Sequence, residues 1–178
     1  MIIYIPGELV SLLTFPGVII HEIAHRLLCD IQNIPVYDVR YFIVWSRRAG
    51  YVIHARTDHY RKRLLIGLAP FFVNSLVAMV CTIPLATELY FGTTFAAHTC
   101  LFLPKLVITW IGVSVGFNAI PSKKDTEGLL DECPNFFLWC FLAPLISFFY
   151  ICNLDGCGWI FGLMYTAGIS CIIPALLA

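Results

Sequence analysis

The chain has 178 residues, of which 60% are hydrophobic and only 12% charged, and its mean hydropathy is +0.85. A soluble domain of this size carries roughly a quarter charged residues, so an apolar exterior facing lipid is expected. Net charge is zero and the pI about 6.9, which argues against a nucleic-acid partner.

Five segments are apolar enough to be read as membrane helices, in one domain spanning 1–178. They run from Ile2 to Leu28, Leu64 to Ala86, Lys105 to Ile120, Phe136 to Ile151 and Gly158 to Leu177. The expected fold is therefore an all-α multi-pass membrane protein. No basic region precedes the first apolar run, so that run is read as retained and not as a cleaved signal. Prolines 6, 16, 70, 84, 144 and 174 fall inside these segments or at their ends, and Pro16 predicts a kink in the first.

Between the first two helices, Val36–Trp45 and Gly50–Ala55 are rich in β-branched and aromatic residues. Ser46-Arg-Arg-Ala separates them, which predicts a small β-hairpin with a longer first strand. The stretch Glu88–Leu103 carries Gly, Thr and His and reads as a loop or interfacial segment. Cys152 and Cys157 flank a short loop and are candidates for a disulfide if that loop lies outside the cytosol.

Basic residues set an orientation. Of 11 Lys and Arg, eight fall between Arg26 and Arg63, and Lys123 and Lys124 follow the third helix. The positive-inside rule then puts the first and third loops in the cytosol and the N-terminus outside.

His21-Glu-Ile-Ala-His25 is the central motif. On a helix, residues i and i+4 share a face, so both imidazoles can reach one metal ion, with Glu22 placed to take a proton from a bound water. Zinc suits this chemistry, and ionisable groups at membrane depth are retained for function. A third ligand is expected where the third helix ends, on the same side. Asp125 is the first acid there, with Glu127, Asp131 and Glu132 as alternatives. His54 and His59 lie in the basic segment and read as surface residues, and His98 is expected on the opposite side.

With these residues in view, the chain resembles the site-2 protease family of intramembrane zinc metalloproteases over roughly residues 10–130. The family's HExxH helix corresponds to His21–His25. Its GPxxN-like motif corresponds to Ala69-Pro-Phe-Phe-Val-Asn74, and its NxxPxxxxDG-like motif to Asn118-Ala-Ile-Pro121 followed by Asp125. Ala69 replaces a glycine, Pro70 to Asn74 is one residue longer than usual, Pro121 to Asp125 is one shorter, and Gly128 is not adjacent to Asp125. No stretch is long enough for a PDZ-like insertion. The resemblance implies a Zn2+ ion held by His21, His25 and Asp125, with Glu22 as general base. It implies that Asn74 and Asn118 position substrate or an oxyanion, interhelical hydrogen bonding being the alternative. It also implies a membrane-protein substrate cleaved in or beside the bilayer. A non-catalytic, metal-stabilised membrane scaffold or partner-binding subunit is the other reading, and a small transporter or pore is disfavoured by the short length and lack of repeats.

Overall fold

A computed structural model describes residues 6–46, 48–91, 102–153 and 158–177. The chain is mostly helical with one small antiparallel sheet: α1 (Gly7–Leu13), α2 (Phe15–Ile31), β1 (Val36–Arg40), β2 (Tyr51–His54), α3 (Tyr60–Phe91), α4 (Phe102–Phe117), α5 (Phe136–Cys152), α6 (Gly158–Ser170) and α7 (Ile172–Leu177). The α3 stretch Tyr60–Glu88 is long and apolar enough to cross a membrane, and α1 and α2 pass the same test only as a pair. The residues Cys157 and His98, and with them most of the expected 88–103 loop, lie outside the described residues.

The expected kink is a break. α1 and α2 meet at 86°, with Thr14 between them and Pro16 in the first turn of α2, where a missing N–H does no harm. The Thr14 carbonyl accepts a hydrogen bond from Ser114 Oγ at 2.9 Å and a longer one from Asn118 Nδ2 at 3.4 Å, so α4 seals the break.

α2, α3 and α4 pack together as the central three-helix unit. Gly17 allows the closest approach: a Cβ there would overlap the Ser114 carbonyl and come within 2.7 Å of Asn118 Nδ2. Asn74, fully buried on α3, ties the three helices by directing its amide at the carbonyls of Gly17, Val115 and Asn118. Ala78, Val115 and Ile169 close a small apolar core where α6 joins them.

The hairpin is shorter than expected. β1 ends at Arg40 and pairs with β2 from Val36↔His54 to Arg40↔Tyr51. Beyond it, Trp45 adopts a left-handed φ of 54° and Ile43 N–H donates to Ala49 O, so Tyr41–Ser46 folds as a loop despite its strand composition.

The fourth apolar segment forms a helix too short to pass the length test for a membrane span by itself. α5 is capped by the Asn135 side chain, which accepts from Phe137 N–H. Its residues Leu142, Ile146 and Phe149 pack on Tyr60 and Leu68 in the first third of α3, and on Leu129. At its far end Asn153 Nδ2 donates to Pro121 O at 3.0 Å, so α5 finishes beside the loop that follows α4, four residues past its end. α6 then starts at that same end, with Gly162 against Phe117, and runs back along α4 until Pro174 of α7 lines one cavity with Leu85 and Thr109. A helix that traversed the full length of α3 would have left Asn153 at the opposite end.

Candidate metal centre

α2 presents His21 and His25 one turn apart, with ring centroids 5.0 Å from each other. Asp125 comes from the loop after α4 and meets both: His21 Nε2 lies 3.4 Å from Asp125 Oδ2, and His25 Nε2 lies 3.4 Å from Asp125 Oδ1. One ligand atom from each of the three residues lies within 4.8 Å of the others. Glu127, Asp131 and Glu132, the alternative acids, are exposed, and Glu132 is paired with Arg63 and Arg56. Of the four acids, the structure brings Asp125 to the histidines.

Each group is held from behind. His21 Nδ1 donates to Asn118 O at 2.8 Å and His25 Nδ1 to Ile66 O at 2.9 Å, which leaves both Nε2 atoms facing the carboxylate. Asp125 Oδ2 accepts from Ser122 N–H at 2.7 Å, and Ser122 Oγ accepts from Asp125 N–H in return. The loop is docked on α3 through Tyr60 Oη, which donates to Leu129 O at 2.8 Å, and through Gly67, where a Cβ would collide with the Asp125 carbonyl. Burial pushes the Asp125 carboxyl up, but in the metal-free protein hydrogen bonds and charge from the two imidazoles in their protonated form more than reverse this and hold it well below the usual carboxylate range.

These residues fit a zinc ion. His25 Nε2 is buried with no hydrogen-bond partner, its nearest polar neighbour being Asp125 Oδ1 at 3.4 Å, an arrangement that a metal ion shared with Asp125 would satisfy. Two imidazoles and one carboxylate match a catalytic zinc donor set with one position left for water or substrate. The carbonyls behind the imidazoles are the outer partners that such ligands ordinarily have.

Glu22 sits between the histidines in sequence and is buried on the face covered by the hairpin, against Gly50. The polar bonds of Asn74 and Asn118 run to backbone carbonyls within the helix bundle, the arrangement of the interhelical alternative. The Asn118 carbonyl, not its side chain, reaches the centre, because it holds His21. Sequence reasoning missed Gly50, Gly67 and Ser122. Glycine marks a close approach only once its neighbour is known, and Ser122 is one of many loop hydroxyls.

No protein-family model, curated protein or solved structure matches the chain.

Proposed function

We propose that the chain is a membrane-embedded zinc endopeptidase that cleaves transmembrane or membrane-adjacent segments of other proteins. One observation carries the reading: two Nε2 atoms and a carboxylate converge, each fixed from behind, around a buried nitrogen that has no other partner. His21, His25 and Asp125 hold the ion. Bound zinc supplies Lewis acidity, which eases deprotonation of water and polarises a peptide carbonyl. Glu22 takes the proton from the attacking water and returns it to the departing amide nitrogen, the general acid–base role. The hairpin covers Glu22 and shields it from bulk solvent. The motif spacing shared with the site-2 protease family supports the same assignment, with the departures noted above.

A membrane location is supported by an apolar exterior that no water-facing surface would keep. Phe137 and Phe141 on α5 are each 82% exposed, and Leu176 on α7 is 80% exposed. Positive charge near the HExxH end supports placing that end in the cytosol. In this reading α2, α3, α4 and the α6–α7 pair cross the bilayer. α5 lies within the cytoplasmic half, so the count is four crossings where hydropathy predicts five.

The deciding experiment compares the purified protein with its Glu22→Gln variant in lipid. Equal, stoichiometric zinc with cleavage of a membrane-protein substrate reduced by about 100-fold or more supports the reading. Equal zinc with no cleavage by either protein favours the non-catalytic, metal-stabilised scaffold. Loss of zinc in the variant makes Glu22 a ligand and overturns the mechanism.

A further inference from the structure

We propose that Pro70 is a positioning residue for the metal centre: by withholding an N–H from helix α3 it frees the Ile66 carbonyl to fix the ring of His25. The proposal rests on the reading that His21, His25 and Asp125 bind a metal.

In an α-helix the carbonyl of residue i accepts the N–H of residue i+4. For Ile66 that donor is residue 70, and proline has none. α3 nevertheless continues unbroken from Tyr60 to Phe91, so the Ile66 oxygen has lost its ordinary partner inside a continuous helix. Ile66 is 3% exposed and Pro70 is among the fully buried side chains, so water does not substitute. A buried carbonyl without a donor is unfavourable and takes one where it can. The donor here is His25 Nδ1–H, at 2.9 Å.

The consequence is chemical. Neutral imidazole carries a single N–H, and placing it at Nδ1 leaves Nε2 as a lone pair. Only that tautomer can use Nε2 as a ligand on the side where Asp125 stands. His21 obtains the same result without a proline, because its acceptor, Asn118 O, lies one residue past the end of α4, where helical carbonyls are unpaired by geometry. His25 faces the body of α3, where every carbonyl is engaged unless a proline opens one. The same turn also contains Gly67, whose missing side chain admits the backbone of Asp125. Residues 66–70 of α3 thus seat one histidine by a released oxygen and the carboxylate loop by an absent Cβ.

The test reads the imidazoles directly. In the full chain, labelled with 15N-histidine, reconstituted in lipid and stripped of metal, NMR above the histidine titration range should show His25 with its proton on Nδ1. Pro70→Ala restores the helical donor and makes it compete for Ile66 O. The Nδ1–H population of His25 should fall while that of His21 holds, and zinc affinity, measured against a competing chelator, should drop about 10-fold or more, as for other outer partners of metal ligands. Pro84→Ala, in the same helix but releasing Val80 O, should change neither quantity. A wild-type His25 protonated on Nε2 overturns the proposal without any variant. An unchanged tautomer and zinc affinity in Pro70→Ala overturns it too, as does an equal effect from Pro84→Ala. A wild-type protein that binds no zinc sinks the metal reading instead, and the tautomer of His25 still judges Pro70.

Discussion

Gly50 lies against Glu22: a Cβ at residue 50 would stand 2.8 Å from Glu22 Cγ, 2.9 Å from Tyr41 O and 3.0 Å from Arg40 O. Two of the three obstacles are backbone, and the third is the middle of the Glu22 side chain, so a methyl cannot be absorbed by a swinging tip. Gly50→Ala should push Glu22 and the hairpin apart while leaving every proposed ligand in place. Cleavage should fall about 10-fold to 100-fold, as small misplacements of catalytic groups do, with zinc content unchanged. Full activity in Gly50→Ala would show that the hairpin does not set the position of the base.

Asp125→Ala should lower zinc affinity and cleavage together, by about 100-fold or more, because it removes a direct ligand where outer partners alone are worth 10-fold to 100-fold. Glu127→Ala and Asp131→Ala, on exposed side chains, should alter neither. Gly67→Ala should mimic Asp125→Ala more weakly, since it displaces the carboxylate loop without touching a ligand. Zinc loss in the Glu127 or Asp131 variant with retention in Asp125→Ala would reassign the third ligand.

The path of α5 makes a topological prediction. A cysteine placed at Ser46 or Ser122 should resist an impermeant thiol reagent added from outside, in a background where the reagent finds no other cysteine. One placed at Ala175, near the end of α7, should react. Hydropathy alone predicts five crossings and puts residue 175 inside, so protection at that position would restore the five-span map. Labelling of Ser46 from outside would invert the orientation altogether.

Acid should undo the metal-free site at a pH well below the range of ordinary carboxylates. The folded Asp125 carboxyl is held below its unfolded value, near 3.9. Its contribution to stability is therefore fully present above that value, and it is lost as pH falls through the lower folded value. Unfolding of the metal-free protein, followed by circular dichroism from neutral pH downward, should show this acid limb, and Asp125→Asn should lack it. A limb of the same size in the variant would assign it to other carboxylates.

How much of this was legible depends on what each residue signals by itself. His21 and His25 declare a shared helical face through spacing alone. Asp125 was reachable because charge distribution placed the end of the third helix on the same side as the motif. Asn74 and Asn118 were visible as polar residues in apolar helices, but whether an amide faces a substrate or a carbonyl is decided by three-dimensional neighbours. The composition of Tyr41–Trp45 favours a strand, yet the Ile43–Ala49 hydrogen bond and the turn at Trp45 bend it into a loop. α5 shows the limit of hydropathy most plainly. Phe136–Cys152 is apolar and much of it is exposed, and apolarity says nothing of depth; its far end is fixed by Asn153 and Pro121, partners 32 residues apart.

The right-angled break at Thr14 has a consequence for supply. α2 begins at Phe15, and at 1.5 Å per residue His21 lies about 9 Å further along the helix and His25 about 15 Å, on a helix about 25 Å long. The hydrogen bonds of Thr14 to Ser114 and Asn118 set the break beside the last turn of α4, so in the membrane reading both histidines lie toward the cytoplasmic side of a hydrocarbon layer about 30 Å thick. Hydrolysis consumes a water molecule at every turnover, and hydrocarbon does not provide one. The side chains of His21 and Asp125 keep 14% and 20% exposure. If the centre hydrolyses peptides as proposed, that remaining opening is the route by which the second reactant arrives.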